Sequence, residues 1–501
     1  MAEQKREKRT CAIIRRIITW IGLGLFTILL ILTLIFQAPW KVISLPAIFL
    51  AACTIFPKRF RRCFWLGVGA VVIALIVWIF LPEDREGWRP YTFDGELAAL
   101  EAKYAIPDEE NAALLYDEIF KILDIDSNSP DFFASQEPSS LSGPWLSKDR
   151  PETVEWLKGH QNTVEGLIKA AENNKCHFKI GVDPLAFSMY IKRFPKMRLC
   201  EFLLLSVANN DVAENRIDAG IEKYLCALQM AHHQYQQLAA IDHIVSYGME
   251  RLALNSLNKF VIESKPSTEQ LQHISSFQKS LTNNWTLVFT MMLEYERLFA
   301  KNTFCALAYE INSKGRIRLS RDPTFVLKAM FPDTATPSYW QKKFYKAETL
   351  IGWFSMPSSP RRVAERIDAN VNKFSSMVES DYDCMDKSSD ILSLFTKRDA
   401  NRLRFNCKYS VQLTADVLEE VYYHMQGRYL NTLTLRRGSR LLLAIKQYHN
   451  EHGVWPPNLD AIKSSAPTEA FIDPVTGNPL EYENHGNRFS LYGETANIWP
   501  K

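Results

Sequence analysis

Three apolar stretches open the chain, and from residue 94 onward the apolar positions recur with the period of a helix. Residues 17–36 and 64–81 carry no charged side chain. Each is long enough to cross a hydrocarbon core of roughly 30 Å as a helix. Between them, residues 42–56 are apolar or small and are bounded by Trp40 and Pro57. This stretch is short for a span, and alone it also fits a re-entrant or interfacial segment.

Helices are expected next over 94–103, with Asp94 as cap, and from Pro107, with Asp108, Glu109 and Glu110 in the first turn and a stripe of Leu115, Ile119, Ile122 and Leu123. Pro151 opens another, marked by Val154, Leu157, Val164, Leu167, Ile168 and Ala171. Further helices are expected over 196–209, 212–236, 239–263, 267–282, 285–311, 338–354, 361–379, 389–425 and 429–452. Ser267-Thr268-Glu269-Gln270 is a capping box ahead of Leu271, Ile274, Phe277 and Leu281. Residues 125–150 read as a loop, 176–195 as irregular or short-stranded, and 312–335 as a solvated loop holding Lys314, Arg316, Arg318 and Arg321. The segment 220–228 has the look of one tetratricopeptide helix, but no second copy follows at that period, which leaves an ordinary amphipathic helix. The last seventy residues change style, with short strands expected at 480–483 and 487–492 joined through Asn484-His485-Gly486.

Charge orients the apolar stretches. Residues 1–81 contain eleven Lys/Arg and two Glu, which leaves 48 basic and 54 acidic residues in 82–501. The positive excess therefore belongs to the anchor, and the rest is mildly acidic, which argues against nucleic-acid binding through bulk charge. Basic clusters lie before residue 17 and at Lys58, Arg59, Arg61 and Arg62, while only Lys41 lies between the first two stretches. Basic clusters stay cytoplasmic during insertion, so three spans (about 17–36, 40–56 and 64–81) satisfy the rule and two do not. A cleaved signal peptide fits poorly, because the first apolar run is too long and lacks a small-x-small site. The expectation is a bacterial inner-membrane, multi-pass protein in contact with the lipid bilayer. It comprises a basic cytoplasmic segment 1–16, an anchor 17–81, a helical extracytoplasmic domain 82–430 and a C-terminal module 431–501. The fold class is mainly α: transmembrane helices, a large bundle or solenoid-like body, and a small α+β module with a short antiparallel sheet.

The C-terminal order resembles that of type II secretion pseudopilins: a helix with a late tyrosine, a G-x-x-P step, a DP-x-x-G-x-P turn and a short sheet. Tyr448, Gly453, Pro456, Asp473, Pro474, Gly477, Pro479, Tyr482 and Tyr492 carry the resemblance, over about 65 residues of the chain. No acidic residue stands between 17 and 36, where that family carries a glutamate in its apolar helix. Some of its members bind calcium near the sheet, so the resemblance makes Asp473, Asn478 and Glu481 candidate oxygen ligands; the plainer reading is that Asp473 and Asn478 make turns. The whole chain also resembles a group of bacterial membrane proteins with an N-terminal anchor, a phrase like residues 106–113 and this module. That resemblance implies architecture and no particular activity.

Candidate chemistry is sparse. Ser256-x-x-Lys259 and Ser276-x-x-Lys279 have the spacing of penicillin-binding nucleophiles, but the companion motifs are absent and chance supplies about two such strings in a chain this long. His232, His233 and His243, and the pair His449 and His452, lack the spacing of a catalytic zinc site. Cys176, Cys200, Cys226, Cys305, Cys384 and Cys407 fall outside the anchor, an even number that permits disulfides in any of fifteen pairings; buried free thiols are the plainer reading. No cofactor is expected. The preferred expectation is a membrane-tethered interaction or scaffold protein for a protein or cell-envelope partner, without enzymatic activity. The alternatives are an accessory component of a secretion or pilus-type system, and an extracytoplasmic hydrolase with an unrecognised site.

Overall fold

The computed structural model describes residues 87–123, 141, 143–181, 190–281, 285–319, 359–380, 407–494 and 496–499. The expected spans within 17–81, the expected helix 338–354, Arg321 and Cys384 lie outside the described residues. Among the described residues, no helix is long and apolar enough to cross a membrane.

In chain order the elements are β1 (Trp88–Pro90), α1 (Asp94–Lys103), α2 (Ala112–Ile122), α3 (Pro151–Gly159), α4 (Gln161–Ala171), α5 (Arg193–Ala213), α6 (Ile217–Tyr235), α7 (Ala240–Glu263), α8 (Thr268–Ser280), α9 (Trp285–Ala308), β2 (Tyr309–Asn312), β3 (Ile317–Leu319), α10 (Pro360–Ser380), α11 (Cys407–His452), β4 (Glu481–Asn484), β5 (Phe489–Tyr492) and β6 (Asn497–Trp499). The protein is mainly helical and carries a small C-terminal antiparallel sheet. It divides into two compact units, the larger made of 93–300, 375–388 and 421–501 and the smaller of the remainder.

In the larger unit, α5, α6 and α7 pack in sequence order. Tyr224 on α6 donates to Asn209 on α5 (2.5 Å) and stacks near Phe260 on α7 (centroids 5.7 Å). Tyr235, at the other end of α6, meets Tyr247 on α7 at 5.5 Å, so α6 and α7 run antiparallel. The α5–α6 turn ends in a Schellman-type cap: Asn215 takes φ +62°, and the Arg216 amide donates to the Asp211 carbonyl at 2.8 Å. Gly220 lets α6 approach closely, since a Cβ there would stand 2.7 Å from Val212 Cγ2. Tyr224, Phe260, Leu203 and Leu257 are fully buried, and each such side chain contributes roughly 1.5–3 kcal/mol.

Several expected helix starts move; the one expected at 212 falls at Ile217, because the preceding helix runs to Ala213. Asp94 is the first residue of α1 rather than its cap, which is Phe93. Residues 108–110 form a single 3-10 turn, and α2 begins at Ala112 because the Asn111 side chain caps it, accepting from the Ala113 amide at 3.1 Å. The capping box at Ser267 and Gln270 forms as its sequence predicts. The break expected at 426–428 is absent: α11 is continuous, since a lone Gly427 in a helix costs only about 1 kcal/mol.

The C-terminal half of α11 lies parallel to α7, with Arg436 on Glu250, Ser439 on Asn258 and Lys446 on the Ile262 carbonyl. One apolar cluster takes in Leu254, Leu257 and Phe260 of α7, Leu271 and Ile274 of α8, Leu441 to Ile445 of α11, and Phe489, Leu491 and Ile498 of the sheet. The expected hairpin forms as β4–β5, and a third strand, β6, adds to β5.

In the smaller unit, β1, β2 and β3 form an antiparallel sheet in that order. The basic segment expected as a solvated loop is here partly a hairpin: Arg318 on β3 donates to Glu310 (2.7 Å) and covers the Trp88 ring, while Lys314 and Arg316 stay exposed in the turn. Lys301 on α9 pairs with Asp368 on α10 at 2.6 Å.

Candidate functional site

Polar side chains gather around an extended segment, residues 174–181, in the larger unit. Its backbone groups need partners, and helices supply them through side chains. Asn111 donates to the His177 carbonyl and accepts from its amide (3.0 and 2.9 Å). Gln236 accepts from the Cys176 amide, and Gln237 accepts from the Phe178 amide while donating to the Cys176 carbonyl. Glu101 on α1 accepts from the amides of Ile180 and Gly181 at 2.7 and 3.0 Å.

Beside this segment lies a buried triad. Tyr190 donates to Asp242 Oδ2 at 2.6 Å, and the Arg193 guanidinium pairs with Asp242 Oδ1. Asp242 sits in the first turn of α7, where the helix dipole favours a carboxylate. The guanidinium lies 3.5 Å from the Tyr190 centroid and 4.4 Å from that of Phe178. Burial pushes the Asp242 carboxyl up to about 6, although the Arg193 charge and the Tyr190 hydroxyl oppose the rise. Half-buried Glu296 on α9 accepts from the Ala240 amide at 2.7 Å and so serves α7 as a cap from another helix. Burial raises Glu296 to about 7; the Ala240 amide opposes this and Asp242 adds to it.

A second polar centre ties α11 to the body. Arg436 grips Glu250 with Nε–Oε1 at 2.6 Å and Nη2–Oε2 at 2.7 Å, and Tyr235 donates to Oε2 at 2.8 Å. Burial alone would lower the Arg436 guanidinium, but the Glu250 carboxylate outweighs it and raises the group. Ser439 donates to Asn258, and Gln278 donates to Ser439. On α5, Glu201 is buried, and desolvation drives its carboxyl well above the usual range.

Burial lowers His232, His233 and His243 to about 4, so all three are neutral near pH 7. His233 joins the Tyr116 hydroxyl (2.9 Å) to the Asn173 carbonyl (2.7 Å), and His243 Nε2 donates to the Gln237 carbonyl. His449 stacks on Trp455 and His452 on Tyr448, both at the end of α11. Cys176, Cys200, Cys226 and Cys305 are free buried thiols, and burial raises those of Cys200 and Cys226 to about 12. Ser256 and Lys259 lie inside α7, and Ser276 and Lys279 inside α8.

Asp473 is buried, with each oxygen already accepting: Oδ1 from Thr434 Oγ1 and the Val475 amide, Oδ2 from the Glu494 amide. Its own amide donates to the Asn478 carbonyl at 2.7 Å. Asn478 is exposed in the turn and Glu481 is exposed on β4. Among the described residues, no group of three or more His, Cys, Asp or Glu is placed to hold a metal ion.

Sequence reasoning missed Arg193, Asp242, Glu250 and Arg436, and it read Glu296, paired with Glu294, as part of a solvated helix face. A usable signal existed only for Asp242, an acid in the first turn of a helix. Comparison with protein-family models, curated proteins and solved structures finds no match to the chain.

Proposed function

We propose that the chain is a membrane-tethered interaction or scaffold protein, with residues 82–501 outside the cytoplasm of a bacterial cell. The tether rests on the apolar stretches and on the basic clusters between them. The scaffold role rests on one observation. The ionisable side chains best suited to chemistry (Arg193 with Asp242, Arg436 with Glu250, His233 with Tyr116) each bridge one element to another in the interior. Such ties fix helix register and hold a surface in one shape for a protein or cell-envelope partner. The C-terminal module is part of that same body through its shared apolar cluster.

Alkaline phosphatase fused after residue 90 tests the tether. High activity in intact bacteria is the expected result, and an inactive fusion that is cytoplasmic by protease protection would end the three-span account.

A second reading, as an accessory component of a secretion or pilus-type system, draws on the C-terminal order of α11, the Asp473–Gly477 turn and the sheet β4–β6. Recovery of secretion-platform subunits with the tagged full chain, lost on deletion of 453–501, would favour it over the first.

A further inference from the structure

We propose that the β1–β3 sheet of the smaller unit docks on the anionic headgroups of the bilayer that anchors the chain, through Arg89, Lys314, Arg316 and the exposed side chain of Ile317. The inference rests on the tether proposed above and gives the outer body a second contact with its membrane. The turn between β2 and β3 is built to present its cations. Asn312 Oδ1 accepts from the amides of Lys314 and Arg316 at 3.0 and 2.9 Å. The Asn312 carbonyl accepts from the Gly315 amide at 2.9 Å, and its amide donates to the Arg316 carbonyl at 3.1 Å. Gly315 supplies the φ of +72° that the reversal needs. One asparagine thus fixes the main chain of the turn, and the side chains of Lys314 and Arg316 stand exposed on it.

Register extends this surface across the sheet. Arg89 on β1 lies opposite Ile311 on β2, and Ile311 lies opposite Ile317 on β3, so the three share one face. Arg89 is exposed, Ile311 is half-buried and Ile317 is 47% exposed. The charge on the other face is already compensated, since Arg318 pairs with Glu310 and lies 3.9 Å from the Trp88 ring centroid. Among the described residues, the side chains of Arg89, Lys314 and Arg316 have no carboxylate partner. An apolar side chain ringed by uncompensated Lys and Arg matches the boundary between anionic headgroups and acyl chains, which takes the cations at its surface and the apolar tip below.

Chain length places this surface within reach. The third apolar stretch ends at residue 81 and β1 begins at Trp88. Seven residues span at most about 25 Å, so the tether holds the sheet near the membrane at high effective concentration. Each Lys or Arg brought to an anionic surface favours the bound state about fivefold, and the attraction fades within a Debye length of about 10 Å at 0.1 M salt. The competing acceptor for these cations is the chain itself: Glu83, Asp84 and Glu86 stand with Arg85 just before β1.

Photo-crosslinking of the full chain in nanodiscs reads the contact. A Ser313→p-benzoylphenylalanine chain carries the probe on the exposed turn and leaves Arg89, Lys314, Arg316 and Ile317 intact. Nanodiscs of phosphatidylcholine alone are compared with nanodiscs that also contain phosphatidylglycerol, and the same probe at exposed Val454 measures random collision with lipid. At Ser313 the lipid adduct is expected to rise at least about tenfold with phosphatidylglycerol and to collapse near 1 M salt, where the Debye length is about 3 Å. Arg89→Gln and Arg316→Gln, both at exposed positions, should each lower the adduct by up to about fivefold. Equal adducts on the two lipids, the result if residues 83–86 neutralise the cations, overturn the inference and leave the tether standing. Adducts that rise with phosphatidylglycerol but ignore both substitutions overturn it as well. A chain that does not enter nanodiscs removes the tether and the inference together.

Discussion

Removing Arg436 should be among the costliest single changes to this protein. The guanidinium and the Glu250 carboxylate are 12% and 7% exposed and meet through two hydrogen bonds of 2.6 and 2.7 Å. Taking away one partner strands the other in the interior, where Glu250 would keep only the Tyr235 hydroxyl among the hydrogen bonds described above. Breaking a buried pair in that way costs about 3–5 kcal/mol, so Arg436→Met and Glu250→Leu should each destabilise by that amount. Replacing both with apolar groups of similar volume removes the stranded charge as well as the pair. The double variant should then lie within about 2 kcal/mol of the wild type, far below the sum of the singles. Urea unfolding of the four proteins, followed by tryptophan emission, closes the cycle; Trp455 and Trp499 report from the module that α11 carries. Single variants costing under about 1 kcal/mol, or a double variant equal to the sum, would refute the claim that this pair is buried and coupled.

Other changes probe other parts of the fold. Burial holds His243 at about 4 against an ordinary 6.5, so its contribution is complete above pH 6.5 and is lost as the pH falls from there to 4. His243→Gln should flatten the pH dependence of the melting temperature in that window by the equivalent of one proton, and an unchanged slope would contradict it. At Gly438 an added Cβ would stand 2.5 Å from Ile498 Cδ1, so Gly438→Ala should cost about 1–3 kcal/mol, and Ile498→Val should return part of that loss. Asp473→Ala orphans two backbone amides, while the Thr434 hydroxyl keeps the Leu430 carbonyl, and should lower stability by about 2–4 kcal/mol. Chelation of divalent ions should leave the melting temperature of the wild type unchanged, and a large drop would restore Asp473 as a ligand.

Helix positions from 193 to 280 were legible because local rules agree there: apolar period, short connections and a capping box at Ser267. Boundaries moved where a tertiary partner competed, as at Asn111, whose amide group serves both α2 and the backbone of His177. The break expected between 425 and 429 failed in the opposite direction, since the glycine there weakens a helix without ending it. The polar ties were illegible for a different reason. Arg193 and Asp242 are 49 residues apart and Arg436 and Glu250 are 186 apart, and nothing in local periodicity records which buried charge will find which. Asp473 was noticed for its oxygens, which accept from the Val475 and Glu494 amides.

The proposed placement of the large domain outside the cytoplasm is open to a direct chemical test. Val454 is 59% exposed just beyond α11, whereas Cys176, Cys200, Cys226 and Cys305 are buried. A Val454→Cys chain treated with a membrane-impermeant maleimide in intact cells should label well above the wild-type background before lysis. Labelling that appears only once the inner membrane is broken would contradict the account.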